Sequence, residues 1–331
     1  MASASDSRLV IVVGSGRSGT STVAGTLKYL GLQVPQPEIP PNRTNPRGFF
    51  EPQWVVDFHK RLLARSGVHL SDSRPIAVER AYEVGTRPRL QAELREWLAN
   101  ALQEAPELVV KDPRNSWFQP MWRDAARSAG TTSRFLTMLR HPAEVAGSKQ
   151  TYYNRNPAAD KKIGDTWRIS GWINVLHTVE FTSRPDPRAF VRYDDLLADW
   201  RSAMGAAGTT LDLSYVSSLD PDTPHEVDDF IDPGLHRVKV TWSDLDVPSS
   251  IQEIAEATWQ ALGVLVDAGG HDEKAEATLD ELREHYRAVH ADAEAIAHHS
   301  IQAARGNLRA GGPKKANPAN KAKAAAKKGS A

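Results

Sequence analysis

Residues Val12 to Ser21 read VVGSGRSGTS and follow an apolar run of Leu9, Val10, Ile11, Val12 and Val13. A helix-like stretch, TVAGTLKYLGL, comes directly after. A buried strand that turns through glycines into a helix N-terminus points its backbone N–H groups at one spot, where the helix dipole also favours negative charge. Such a loop cradles an anion. In an alternating α/β chain it lies beyond the C-terminal edge of a parallel sheet.

Two familiar templates fit the loop imperfectly. As GxxxxGK followed by Ser or Thr, the loop supplies Gly14, Gly19 and Ser21, but Thr20 stands where the P-loop lysine belongs. That lysine neutralises the β- and γ-phosphates, so its loss argues against ATP or GTP hydrolysis. As GxGxxG, the loop supplies Gly14, Gly16 and Gly19. A dinucleotide site also wants an acidic residue about 20 positions on, closing a second strand. The matching region is LQVPQPEIPPN, and its Glu38 lies between prolines, where a central strand is disfavoured. A glycine pattern with no ligand role stands beside these two.

A second candidate site lies far along the chain. Ser133 to Leu139 (SRFLTML) is another apolar strand, and it runs into Arg140-His141-Pro142 and then AEVAGSKQTYY. Pro142 suits a first helical position and Glu144 a first turn. Arg140 then stands at a strand's C-terminal end, with Ser148 on the helix that follows. Taken singly, each residue has an ordinary structural explanation, as a solvated strand-end charge and a helix serine.

Together, the two sites resemble those of the sulfotransferase family. Glycines, the internal cation Arg17 and then Ser18-Gly19-Thr20-Ser21 resemble its 5′-phosphosulfate loop, and Arg140 with Ser148 resembles its ribose 3′-phosphate site. The donor implied is 3′-phosphoadenosine 5′-phosphosulfate (PAPS), bound by Ser15, Gly16, Arg17, Ser18, Gly19, Thr20, Ser21, Arg140 and Ser148. FVRYDDLL, Phe190 to Leu197, resembles the family's Arg-Tyr-Glu-Asp-Leu stretch with Asp194 in place of glutamate; Tyr193 and Asp194 read as a strand terminus and helix cap. FIDPGLHR, Phe230 to Arg237, resembles a late segment that closes over the nucleotide, which makes Arg237 a further 3′-phosphate candidate. The resemblance spans about residues 8 to 265 and is dense only at these short motifs.

Sulfuryl transfer resembles phosphoryl transfer: an in-line, loose transition state with charge building on the leaving oxygen. Arg17 is placed to meet that oxygen. No metal is expected, because a sulfuryl group carries one fewer negative charge than a phosphoryl. Cytosolic family members take a base from a Lys-x-His stretch, but here Lys111-Asp112-Pro113 puts a proline in that place. Asn45-Pro46-Arg47-Gly48-Phe49-Phe50-Glu51 resembles a stretch of some bacterial members and offers Glu51 as the base, beside aromatic residues. Capping of the helix that holds Trp54, Val55 and Phe58 is the competing role for Glu51, and Glu38 is the other base candidate. Lys111 is expected to add positive charge to the cleft, with Arg114 either a second such charge or structural.

Apolar strands at Leu9–Val13, Leu108–Val110 and Ser133–Leu139, with helical patterns at about 116–129, 143–154, 165–182 and 194–206, imply a three-layer α/β/α fold around a mostly parallel sheet. At 331 residues and 40% hydrophobic composition the chain can bury one large core. The expected organisation is a flexible start at 1–7, one α/β domain over 8–308 with a helical extension from about 250, and a disordered, low-complexity Lys/Ala-rich tail at 309–331. The whole chain is formally neutral, and the six lysines of residues 311–331 leave −6 on the remainder, which argues against nucleic acid as a partner. The absence of cysteine excludes thiolate catalysis and Cys-based zinc sites. A start without a basic signal-peptide region, and no stretch of about 20 apolar residues, point to a cytoplasmic protein without an integral membrane segment.

The function expected is sulfuryl transfer from PAPS to a hydroxyl or amine on a small-molecule, glycan or lipid acceptor. A P-loop-type kinase or phosphotransferase, and a catalytically silent nucleotide-binding protein, are the alternatives. The acceptor pocket is expected from loops near 34–50, 66–88 and 153–165. Trp54, Trp117, Trp122, Trp167 and Trp172 read as core, with one or two available to line it.

Overall fold

Every strand is apolar on both faces, as a parallel sheet covered by helices requires. In the computed structural model β1 (Arg8–Val13), β2 (Glu107–Lys111), β3 (Thr132–Leu139) and β4 (Arg188–Arg192) pair in parallel in the order β2-β1-β3-β4. The structure describes residues 7–43, 45–153, 161–220, 222–232, 234 and 239–310. The N-terminal residues 1–6, Arg237 and the tail beyond 310 lie outside the described residues.

Helices α1 (Thr20–Tyr29), α2 (Gln53–Ser66), α3 (Ala77–Gly85) and α4 (Pro88–Glu104) separate β1 from β2. A 3-10 turn at Pro113–Trp117 and α5 (Gln119–Ser128) lead to β3, and α6 (Pro142–Tyr153) and α7 (Lys161–Ser183) precede β4. Beyond it come α8 (Tyr193–Ala198), α9 (Trp200–Thr210), α10 (Glu226–Phe230), α11 (Ser249–Asp267), α12 (Glu273–Ile296) and α13 (His298–Ala310). Met1–Tyr286 forms one compact unit and Arg287–Ala331 a second, whose described part is helical.

The two-residue period of the strands divides the core. Val10, Val12, Val109, Leu136 and Met138 join Val23 and Leu27 of α1 in one cluster. Their neighbours Leu9, Ile11, Val110 and Phe135 are equally buried, and α5 packs against β3. Because all four strands run the same way, the loops after β1, β2 and β3 leave the sheet at one edge.

The helix boundaries differ from the expected ones for identifiable reasons. The pattern at 116–129 begins as a helix only at Gln119, because Pro120 is tolerated only in a first turn. The pattern at 194–206 breaks at Asp199, whose side chain caps α9 by accepting from the Ser202 N–H at 3.1 Å. Tyr193 and Asp194 do not cap α8: its N-cap is Arg192, without a side-chain hydrogen bond, and Asp194 sits in the first turn, where a carboxylate favours the dipole.

Candidate functional site

The glycine loop is shaped by its neighbours as much as by its own sequence. Val13 pairs with Thr137, which brings Gly14 against Met138. Gly14 has φ +126°, and a Cβ there would lie 2.6 Å from the Met138 carbonyl oxygen. Gly19 has φ +95°, and its Cβ would fall 2.3 Å from the Tyr193 ring. At Gly16 a Cβ would meet nothing within 4 Å. Ser18 closes the turn: its Oγ donates to the Ser15 carbonyl at 2.6 Å and its N–H to the same oxygen at 3.2 Å. The Ser116 hydroxyl, on the turn after β2, bonds both the N–H and the carbonyl of Gly14, at 3.2 and 3.1 Å.

Beneath this loop lies a cavity of about 950 Å³. Its wall carries Gly16, Arg17, Gly19, Thr20, Ser21, Lys111, Glu51, Arg140 and Ser148, so the residues expected from four separated stretches meet at one place. Ser15 and Ser18 are buried, at 2% and 1% exposure, and act on the loop rather than on the cavity surface. Arg17 Nε donates to Ser148 Oγ at 3.1 Å, which joins the β1 loop to α6. The Arg140 guanidinium lies 4.9 Å above the Tyr193 ring, and its Nε donates to Glu144 at 2.7 Å. Burial raises the Tyr193 phenol above its ordinary range, against the lowering influence of Arg140.

Lys111, at the end of β2, is buried and donates to Glu51 Oε1 at 2.5 Å and to Ser21 Oγ at 3.0 Å. Glu51 does not cap α2, whose N-cap is Pro52. Glu38 is paired with Lys28, away from the residues that line the cavity. Below Lys111, His59 Nε2 accepts from the Trp122 indole at 3.2 Å, so its Nδ1 bears the proton and donates to Asp112 at 2.9 Å. Burial pushes Asp112 up, but the His59 hydrogen bond and the Arg114 charge outweigh it and hold the carboxyl below its usual range. Arg114 binds Asp112 at 2.8 Å, a structural partner.

Further lining comes from the expected 66–88 segment and from Lys149 and Arg168, which sequence reasoning did not name. The stretch His69–Arg74 borders the cavity and is pinned by the Tyr286 hydroxyl on the Ser73 carbonyl at 2.6 Å and by Asn174 on the Asp72 carbonyl at 2.9 Å. Lys149, one step beyond Ser148 on α6, is buried, and its Nζ donates to Ser15 Oγ at 3.2 Å and Ser71 Oγ at 3.0 Å. Burial, helped by the Arg168 charge, lowers Lys149 to about 8. Arg168 donates to Asp165 at 3.3 Å and rests against the Trp167 ring. Of the tryptophans singled out, Trp117, Trp122 and Trp172 are core, while Trp167 is 46% exposed and lines the cavity. Asn45, Pro46 and Phe49 line it from the expected 34–50 segment. His141, beside Arg140, accepts from the Ala143 N–H at 3.3 Å and contacts Glu256 through Nε2, shaping the loop.

Among the described residues no group of His, Asp or Glu is placed to hold a metal ion, and no helix is long and apolar enough to cross a membrane.

Comparison with known proteins adds three findings. A model of the sulfotransferase family matches residues 10–217. Among solved structures, the chain is similar to the sulfotransferase domain from the Synechococcus PCC 7002 olefin synthase, at 17% identity over 85% of this chain and 94% of that one, with a TM-score of 0.41. It is also similar to the sulfotransferase domain from the curacin biosynthetic pathway, at 15% identity over 76% and 96%, with a TM-score of 0.40. No curated protein matches it.

Proposed function

The chain belongs to the sulfotransferase family, and we propose that it moves a sulfuryl group from PAPS to a hydroxyl or amine on a small-molecule, glycan or lipid acceptor. The observation that carries this is the Arg17–Ser148 hydrogen bond, which joins two anion-binding motifs 131 residues apart on one cavity wall. A donor with a phosphosulfate at one end and a ribose 3′-phosphate at the other needs both.

The loop N–H groups and Thr20 and Ser21 hydroxyls hold the 5′ end, and Arg140 with Ser148 holds the 3′-phosphate. Arg237, outside the described residues, is a further candidate for that phosphate. The acceptor's oxygen or nitrogen forms a bond to sulfur as the bond from sulfur to the 5′-phosphate oxygen breaks. The electron pair leaves on that oxygen, in 3′,5′-ADP, where Arg17 and Lys111 oppose the growing charge. Glu51 takes the acceptor's proton, oriented by Lys111. A Glu51→Gln variant is expected to turn over 10²- to 10⁴-fold more slowly in a steady-state assay, by the ordinary range for a general base; full turnover removes Glu51 from this role.

Thermal unfolding with 3′,5′-ADP and, separately, with ATP–Mg²⁺ tests the donor. A ligand at a hundredfold excess over its dissociation constant adds about 2.7 kcal/mol. Stabilisation by 3′,5′-ADP alone is expected. Stabilisation by ATP–Mg²⁺ alone favours a phosphotransferase and overturns the proposal.

A further inference from the structure

The Lys149 ammonium is 7% exposed, and its hydrogen-bond partners are two hydroxyls. Among the described residues no carboxylate pairs with it. Its charged surroundings add to the cost: Arg168 on α7 repels it, Arg17 shares the wall, and Asp72 beside Ser71 is engaged by Arg74 at 2.5 Å. A cation taken out of water with only hydroxyls for partners has lost hydration that they replace in part. An anion at this point supplies what the fold withholds.

The two hydroxyls say where that anion sits. Ser15 belongs to the glycine loop, two residues before Arg17, and Ser71 to the His69–Arg74 stretch that borders the cavity, so the ammonium ties the two together. Lys149 itself lines the cavity beside Arg17 and Ser148, so a group transferred from a donor held there comes within its reach. The 5′-phosphate and 3′-phosphate each have a cation in the scheme above; the sulfuryl oxygens have none.

We propose that the Lys149 ammonium hydrogen-bonds the sulfuryl oxygens of the donor, holding that group in line and distinguishing the loaded donor from its product, 3′,5′-ADP, which lacks them. This rests on PAPS being the donor. Lys149 keeps its proton throughout: the bond to sulfur from the 5′-phosphate oxygen breaks, the bond from the acceptor atom forms, and the acceptor's proton goes to Glu51. Once the sulfuryl group has left, Lys149 no longer favours the nucleotide, which assists its release.

Calorimetric titration of the full chain with PAPS and with 3′,5′-ADP tests this in the wild type, Lys149→Met and Lys149→Arg. At pH 7 the wild type is expected to bind PAPS at least tenfold more tightly than 3′,5′-ADP. In Lys149→Met that preference collapses, while 3′,5′-ADP affinity stays within threefold of wild type and the unfolding midpoint does not fall. Lys149→Arg keeps the preference. Raising the pH above 9 narrows it in the wild type and not in Lys149→Arg. Equal losses for both nucleotides, an unchanged preference in Lys149→Met, or a large drop in its unfolding midpoint would each overturn the assignment. A wild type that binds neither nucleotide sinks the donor proposal itself, before Lys149 is touched.

Discussion

Lys111 and Lys149 each bring a buried ammonium to the same cavity, yet Lys111 meets the Glu51 carboxylate at 2.5 Å while Lys149 meets only the hydroxyls of Ser15 and Ser71. The first is balanced by the protein itself. The second is left for something that binds. The difference separates charge the fold needs from charge the fold tolerates, and removing each lysine should move stability in opposite directions.

Breaking the pair is expected to have the largest effect. Lys111→Met leaves the Glu51 carboxylate buried without its cation and should cost about 3–5 kcal/mol in urea unfolding. Lys111→Met with Glu51→Gln should recover most of that; no recovery would mean that the pair does not act as a unit. Arg17 sharpens the comparison, because its Nε is held by the Ser148 hydroxyl. Arg17→Ala should lower kcat about 10²- to 10³-fold, the usual cost of losing one oxyanion partner, and weaken 3′,5′-ADP binding less.

Lys149→Met should instead stabilise. Its folded value of about 8 lies below the ordinary 10.5, so the stability tied to this group is full above 10.5 and lost as pH falls through 8. At neutral pH the buried charge therefore costs about 3 kcal/mol, part of which the methionine returns. Unfolding midpoints at pH 7 measure it.

His177 is a third buried titratable group and, like Lys149, it meets a hydroxyl where Lys111 meets a carboxylate. Its Nε2 faces Thr258 Oγ1 at 2.9 Å, and burial, with the Arg283 charge adding, lowers it to about 3 from 6.5. Its stability is full above 6.5 and lost as pH falls towards 3. Urea unfolding should weaken by about 2–3 kcal/mol from this group between pH 7 and 4.5, less so in His177→Asn. An unchanged acid dependence in that variant would show that His177 is accommodated charged.

What the sequence made legible was local. Strand, glycine turn, Arg17 and helix are contiguous, and Arg140 and Ser148 are separated by less than three turns of chain, so short-range patterning revealed them. The Lys111–Glu51 pair spans 60 residues, and each half could be suspected without the other being named as its partner. Lys149 escaped for a different reason. It is adjacent to Ser148, and a lysine on a helix reads as solvated; its burial depends on Ser71, which lies 78 residues away. Trp167 likewise looks like any other tryptophan until packing leaves it at the cavity. The α3 and α4 helices fall in or beside a stretch expected to be loop; α3 packs on α2 and α5, and α4 packs mainly on α5 with a smaller contact to β2.

The three loop glycines answer to different masters. Gly14 and Gly19 are held by the Met138 carbonyl and the Tyr193 ring, so a side chain at either position is rejected during folding. Gly16 faces open space, and nothing in the protein objects to a methyl group there. On the donor reading proposed above, the constraint on it would come from outside the chain, because a ligand has to reach the backbone there. Selection for a folded protein would leave position 16 free to drift, and selection for a working one would not.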